Sequence, residues 1–374
     1  MKKLKVALVI PTHFDIHSSL GNLLKVYRYL MKSRGIEVTI FTDRRNDADY
    51  PGFRIEKIRG ICCNAVFGKI LLVLGMPRHY YADLIGKLKG YDVIESSNPE
   101  FYWFAYQSYV SAKKYNSRLV YRTSQTVEGF YLFRLAKYLV IPFARKAYDY
   151  ASFLLFANPQ AEERCLRLGL MKNKSKSIVI GHATDTKCFR PMKVKKSKRK
   201  ILLSVGGLYK IKGHHLIIKA LKKIIEKGYD AELWIVGGGY YKSNLIELAK
   251  SLGIADRVKF LGKKSHADLA NIYNRSHVFV LANYQEITPA VNEAMACSIP
   301  VVAMNCGGDR FAIPSDDFGF IAKKFDVGDI ADKILFLLGN RDKARKLGLR
   351  GREFITKNFS IEKVGLKMYK AFIG

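Results

Sequence analysis

The sequence is short of cysteine spacing, long apolar runs, phosphate-loop consensus and acidic residues, and each shortage removes a class of function. None of its six cysteines, Cys62, Cys63, Cys165, Cys188, Cys297 and Cys306, falls in a CxxC pair, and no histidine-rich run accompanies them. Zinc-binding modules and thioredoxin-type redox motifs are excluded, which leaves free thiols in a reducing cytoplasm as the plain reading. A redox role for the adjacent Cys62 and Cys63 stays open, although neighbours in sequence lack the geometry of an ordinary structural bridge. No apolar run approaches the roughly 18–20 residues of a spanning helix, because FGKILLVLGM and YLFRLAKYLVIPFARKAYDYASFLLFA are broken by Lys, Arg, Pro or Asp. The opening MKKLKVALVIPTHFD stops its apolar run at Pro11 without a small-residue cleavage pattern, so it reads as a first strand rather than a signal peptide. The GxxxxGK[ST] loop is missing, as are zinc-finger, RNP-type and KH-type signatures.

Acidic residues are outnumbered two to one, 32 against 64 Lys and Arg, for a formal charge of +32. Through Lys200 there are 37 basic and 15 acidic residues; the remainder has 27 and 17, so the excess lies in the first half. Such a field attracts polyanions. Aromatics interleave with the charge around Tyr102 to Tyr109 and Tyr131 to Tyr150, a pattern suited to an anionic membrane surface or lipid phosphate. Nucleic acid is not expected as a partner.

A chain of 374 residues exceeds the usual single domain of about 100–200. Short β-branched runs alternate with amphipathic helical segments, which predicts an α/β fold of parallel strands joined by crossover helices. The first half contains KVALVIP, EVTIFT, DVIESS, RLVYRTS, SFLLFAN and SIVIGH; the second contains RKILLSVGG, AELWIVGGG, VKFLG, VFVLAN, IPVVAMN and FGFIAK. Two doubly wound, Rossmann-like domains are expected, 1–188 and 201–357, joined by the basic run FRPMKVKKSKRK at 189–200. Residues 358–374 predict a closing C-terminal helix with Ser360 as N-cap, a candidate to pack back on the N-terminal domain. Open α/β sheets bind ligands at the C-terminal ends of their strands, so the chemistry is expected in a cleft between the domains.

Three stretches invite a phosphate. In SVGGLYKIKGHH a strand ends at Gly206 and Gly207, a loop carries Lys210 and Lys212, and Gly213 leads into a helix; a tight turn with surface lysines is the alternative. WIVGGG repeats the theme at Gly237 and Gly238. In QEITPAVNEAM, Thr288 is a good N-cap and Pro289 suits the first helical position, so the N–H groups of Ala290 and Val291 meet the positive end of a helix dipole. Glu293, a turn further on, is placed either to accept ribose hydroxyls or simply to favour the helix start.

In this order, VGGLYKIKG, LWIVGGG, RVKFLGKKSHADLANIYNRSHVFVLAN, QEITPAVNEAMACSIPVVAMNCGG and FGFIAK resemble the C-terminal domain of retaining nucleotide-sugar glycosyltransferases of the GT-B fold, glycosyltransferase family 4 (glycosyl transferases group 1). The resemblance spans about residues 178–374, and more loosely the first half through IPTHFDIHSSLGN, GIEVTIFT and YDVIESS. It implies a donor-binding set of Gly206, Gly207, Lys212, Gly237, Gly238, Lys263, Thr288, Pro289, Ala290, Val291 and Glu293, with Lys212 on the diphosphate and Glu293 on the ribose. It also implies an Arg five residues before Lys212, where this chain has Gly207, and a first Glu eight residues before Glu293, where it has Gln285. Either Gln285 meets the sugar as a neutral substitute or Glu286 takes the role through a one-residue slip. The usual Asn-Gly pair is His182-Ala183 here, and the usual acceptor-facing His is replaced by Thr123, Ser124 and Gln125.

The expected activity is transfer of a sugar from a nucleotide diphosphate sugar to an acceptor hydroxyl with retention, in cell-surface glycan or glycolipid synthesis. No cofactor or metal is expected at the chemical step. Acceptor-side candidates are Gly21 and Ser124, and candidate catalytic groups are His13, Asp15, Glu95, Gln285 and Glu286, with His214 and His182 as substitutes for the missing cation. The acceptor would be a glycan or lipid-linked molecule, and the location cytoplasmic, with or without peripheral attachment to the inner face of the cytoplasmic membrane. The competing reading is a weakened sugar-nucleotide-binding subunit that supports a partner transferase.

Overall fold

Both halves of the chain convert their apolar runs into parallel strands, and the computed structural model describes residues 3–10, 19–46, 50–61, 79–100, 102–123, 134–284, 289–306 and 309–374. The chain divides into two compact units, Met1–Gly181 with Ile361–Gly374, and His182–Ser360.

In the first unit the strands are β1 (Lys5–Val9), β2 (Glu37–Asp43), β3 (Arg54–Ile58), a small ribbon of β4 (Gly60–Ile61) and β5 (Tyr80–Tyr81), then β6 (Val93–Ser96), β7 (Arg118–Thr123), β8 (Phe153–Phe156) and β9 (Ser177–Val179). Seven of them form one sheet in the order β3-β2-β1-β6-β7-β8-β9. The order runs one way from β1 and the other way from β6, so the switch point lies between these two. Both faces of the sheet are covered, which is why KVALV and VIES are buried almost throughout. Strand β3 was not among the expected ones: RIEKI lies at the sheet edge with mixed exposure, and its charges hide the strand pattern. Among the described residues the helices are α1 (Ser19–Arg34), α2 (Leu84–Lys87), α3 (Trp103–Tyr115), α4 (Arg134–Tyr150) and α5 (Pro159–Arg167). Asn158 caps α5 by accepting from Ala161 N at 2.8 Å, with Pro159 at the first position. Asn116 ends α3 in the left-handed conformation, φ 54°.

In the second unit β10 (Lys200–Val205), β11 (Ala231–Val236), β12 (Val258–Gly262), β13 (Val278–Leu281), β14 (Val301–Met304) and β15 (Phe320–Ala322) form a parallel sheet in the order β12-β11-β10-β13-β14-β15. This is the doubly wound 3-2-1-4-5-6 order, with its switch point between β10 and β13. Successive side chains serve opposite faces. Leu202, Ile235, Val280 and Val302 enter the core beneath α6 (His214–Glu226), α7 (Lys242–Ser251) and α10 (Val327–Gly339). Leu203, Val236, Phe279 and Val301 enter the other core, with residues of α8 (His266–Arg275), α9 (Pro289–Ala296) and α11 (Arg341–Phe359).

The basic run 189–200, expected to join the domains, belongs to the second unit. Phe189 is fully buried in that unit's core, Met192 N donates to Asn274 Oδ1 at 2.8 Å, and Lys196 Nζ donates to Ser276 O at 2.7 Å. A dense charge run looked like a linker because its anchors are backbone groups and one aromatic ring, which leave no apolar period. The boundaries between the units fall instead at Gly181/His182 and Ser360/Ile361. Helix α12 (Ile361–Ile373) belongs to the first unit, where Tyr27 stacks on Phe372 at 6.4 Å and Arg34 lies over Tyr369.

Candidate functional site

The second unit gathers its glycine-rich loops at the C-terminal ends of β10 and β11, next to the switch point. Gly206 N donates to Val236 O at 2.9 Å, Leu208 N to Gly238 O at 3.0 Å and Tyr241 N to Leu208 O at 3.0 Å, so the two loops are zipped together. Gly237 N donates to Gly262 O at 3.0 Å, which adds the end of β12, and Tyr284 N donates to Ile211 O at 3.0 Å, which adds the loop after β13. Glycine is required at two of these positions. Gly213 has φ 69°, and a Cβ there would collide with the Ala282 carbonyl; Gly237 has φ 147°, and a Cβ there would collide with the Gly206 carbonyl.

Between Gly206 and Gly213 the chain makes a single 3₁₀ turn, Lys210–Lys212, before α6 begins. Lys212 is half-buried, and its Cδ lies within 4.0 Å of where a Gly206 Cβ would stand, so its stem runs along the glycine turn. Lys210 is exposed. Lys263, also exposed, lies alongside Gly238, with its Cε 3.7 Å from that residue's Cβ position.

Gly207 is covered by the Tyr209 ring: a Cβ at residue 207 would stand 2.5 Å from Tyr209 Cε2. Tyr209 packs in turn against Tyr240 at 5.3 Å, and both rings are exposed, 42% and 76%. A side chain at 207 would have to displace this ring.

His214, at the start of α6, is buried, with Nδ1 3.1 Å from Ser204 Oγ. Burial pushes its imidazole down to about 4, against the carbonyls of Gly207 and Gly206, which favour the charged form. It is therefore neutral at pH 7 and supplies no second cation for the loop. The unfolded imidazole takes its proton near 6.5, the folded one only near 4, so the unfolded state binds more protons in that window and stability falls as pH drops through it. This group alone should cost the second unit about 2 kcal/mol between pH 7 and pH 5. Urea unfolding of His214→Asn beside the unaltered chain at the two pH values measures it, and an unchanged pH slope in the variant would assign the loss elsewhere.

Helix α9 starts at Pro289. The amides of Ala290 and Val291 therefore lie in its first turn, where no intrahelical acceptor exists. Their side chains are buried, and Glu293 is only 7% exposed. Tyr273 Oη lies 3.0 Å from Glu293 Oε2 and 3.1 Å from Ala290 O, so Tyr273, which was absent from the expected site, braces both the carboxylate and the first turn. Burial, and then the Glu293 charge, hold the Tyr273 hydroxyl well above its ordinary range. Asn292 Nδ2 donates to His182 O at 3.3 Å, which docks the strand end His182-Ala183 on α9. A tyrosine inside an otherwise ordinary helical pattern carries no sign of such a contact in sequence.

The first unit's expected catalytic carboxylate does not stand at a surface. Glu95 is fully buried at the switch-point strand β6, accepts a hydrogen bond from Tyr27 Oη, and pairs with Arg122 Nε at 2.9 Å. Such a carboxylate joins α1, β6 and β7 in a buried ion pair, which is a structural place and not the surface-facing one expected of a base. Beneath the ends of β6 and β7 lies a second buried set. Glu100 accepts from Arg164 Nη1 at 2.9 Å and from Tyr148 Oη at 2.8 Å, and Asn98 bonds both Glu100 and Thr123. Gly21 is buried inside α1. His13, Asp15, Ser124, Gln125, Gln285, Glu286 and Thr288 lie outside the described residues. No cluster of three or more His, Cys, Asp or Glu side chains suited to a metal occurs among the described residues.

Residues 185–354 match the family described as Glycosyl transferases group 1. The chain is 32% identical over 166 residues to N-acetyl-alpha-D-glucosaminyl L-malate synthase of Bacillus anthracis, covering 44% of this chain and 43% of that protein. It is 28% identical over 201 residues to a GDP-mannose-dependent alpha-(1-6)-phosphatidylinositol monomannoside mannosyltransferase of Mycobacterium tuberculosis, covering 49% and 52%. The chain thus spans about half the length of the curated relatives it matches. Among solved structures, Anabaena Alr3699/HepE in complex with UDP superimposes with a TM-score of 0.79 over 98% of this chain and 99% of that one, at 16% identity. Likeness at that identity speaks for the fold.

Proposed function

We propose, from the match of residues 185–354 to the glycosyl transferases group 1 family and the GT-B fold of the whole chain, that the protein is a retaining glycosyltransferase. It moves a sugar from a nucleoside diphosphate sugar to an acceptor hydroxyl in cell-surface glycan or glycolipid synthesis.

The observation that carries this reading is that one unit holds, after the neighbouring strands β10 and β13, both Lys212 on a glycine turn and the first turn of α9 with Glu293, with the two loops tied by Tyr284 N donating to Ile211 O. A leaving diphosphate develops negative charge as the anomeric C–O bond breaks. Lys212 and the amides of Ala290 and Val291 are suited to stabilise that charge, because fixed donors need not reorganise at the moment of reaction. Glu293 is held in one orientation by Tyr273, ready to accept from ribose hydroxyls. We assign the chemical step to these groups without a resident metal. The acceptor hydroxyl must lose a proton, and His13 and Asp15 are the groups we assign to receiving it. A lipid-linked acceptor at an anionic, cytoplasmic membrane face accords with the charge of +32 and with the phosphatidylinositol monomannoside acceptor in the name of the mycobacterial relative.

The test is a thermal-shift screen of nucleoside diphosphate sugars, followed by transfer and hydrolysis assays with the best binder. A donor at 100 times its Kd stabilises by about 2.7 kcal/mol. Glu293→Gln should weaken donor binding about tenfold or more, since hydrogen bonds to a charged acceptor contribute about 1.5–3 kcal/mol. A donor that binds the variant as tightly as the unaltered protein would remove the ribose from Glu293. The subunit reading is favoured by one observation, the Tyr209 ring over Gly207 where a second cation is expected. Donor binding without turnover across acceptors would select it.

A further inference from the structure

The two aromatic and basic stretches that the transfer chemistry leaves unused come together on one face of the first unit. Helix α3 presents Trp103, Tyr106 and Tyr109, each half-buried, and helix α4 presents Phe143, 51% exposed, and half-buried Tyr150. The rings form a connected ladder. Tyr106 meets Trp103 at 6.2 Å, Tyr109 at 5.3 Å and Phe143 at 6.0 Å, and Tyr109 meets Tyr150 at 5.4 Å.

Charge frames this ladder. Lys113 and Lys114 are exposed in the last turn of α3, and Arg145 and Lys146 are exposed on α4. Arg145 donates to Gly169 O at 2.6 Å, and the sole acidic residue of the two helices, Asp149, lies 4.0 Å from Lys172. The two helices together hold six Lys and Arg against that one Asp.

We propose that this α3/α4 face is the surface on which the protein lies against an anionic lipid bilayer, with the aromatic ladder at headgroup depth and the lysines on lipid phosphates. Tyrosine and tryptophan suit that depth because each has an apolar body and a polar tip. Basic residues beside them add attraction to anionic lipid, and the pairing of an apolar contact with a basic rim gives the two signals that lasting attachment requires. No helix among the described residues is long and apolar enough to cross a membrane. Single-stranded nucleic acid fits less well. Base stacking needs free ring faces, and all four ring pairs here are edge-on or tilted, three of them around Tyr106.

The test uses the full chain and vesicles of phosphatidylcholine, with or without phosphatidylglycerol. The protein should float with the mixed vesicles and stay behind with phosphatidylcholine alone. Phe143→Glu and Lys113→Glu/Lys114→Glu should each lower the partition about tenfold or more. The charge-matched Lys242→Glu/Lys250→Glu, on exposed positions of α7, should leave it near that of the unaltered protein. The chain has two tryptophans, Trp103 and Trp234. Lipids brominated in their tails should quench fluorescence in Trp234→Phe and fail to quench it in Trp103→Phe. Equal flotation with both vesicle types, loss of flotation in the α7 control to the same extent, or quenching retained in Trp103→Phe would each overturn the assignment. The face is built from residues of the first unit and the donor loops from residues of the second, so absence of donor binding in a chain that floats would count against the transferase reading alone.

Discussion

Lys212→Ala lowers kcat/KM for sugar transfer by about 10²- to 10³-fold, the range for removing one preorganised donor from a developing anion. The expectation is strongest here because the loop offers little to share that task. Tyr209 covers Gly207, and His214 is neutral under the glycine turn. Lys210→Ala, two residues away and exposed, keeps turnover near that of the unaltered protein. Steady-state kinetics with the donor found by thermal shift measure both, and equal losses in the two variants would mean that the loop acts through its general charge. A companion variant, Gly207→Arg with Tyr209→Ala, opens the space that the ring fills and supplies the second cation. It is expected to raise donor affinity, and Gly207→Arg alone to raise it less.

Arg164→Met destabilises the first unit by about 3–5 kcal/mol, because it leaves the Glu100 carboxylate buried without its cation. The two side chains are 1% and 0% exposed and 2.9 Å apart. Glu100→Gln in the same chain removes the orphaned charge, so the double variant recovers part of the loss. Urea unfolding followed by far-ultraviolet circular dichroism reads the cycle. Additive losses would place the stabilising contacts of Arg164 outside this pair. Because Asn98, Glu100 and Thr123 form one hydrogen-bonded set at the ends of β6 and β7, the single variants should also disturb the loops that follow those strands.

Much of the second unit was legible in its residues. Strands such as VFVL and VVAM are continuous apolar runs because parallel strands are covered on both faces, and all six expected strands appear. The start of α9 at Pro289 follows from the ring, whose fixed φ suits the first helical position and whose missing N–H loses no hydrogen bond there. Strand β3 escaped notice because an edge strand carries charge. The run 189–200 was misread because Phe189, its anchor, is a single apolar residue among cations.

The candidate site divides in the same way. Gly213 and Gly237 were recognisable as turns, and the backbone collisions that a Cβ would make explain why nothing larger stands there. Tyr273 as the brace of Glu293 had no signal, since it depends on where another segment passes, and Tyr209 as the cover of Gly207 had none because it depends on how their shared loop folds back.

The sequence by itself determined the alternation of strands and helices, the glycine turns at the ends of β10 and β11, the start of α9 and the placing of excess positive charge in the first half. These follow from local rules of backbone geometry, periodicity and composition. Which ionisable groups are available for chemistry depends instead on contacts between distant segments. Glu95 meets Tyr27 and Arg122 across 68 and 27 residues of chain, and Glu293 meets Tyr273 across 20. A carboxylate's role is set by its burial and partners, and those are properties of the packed fold.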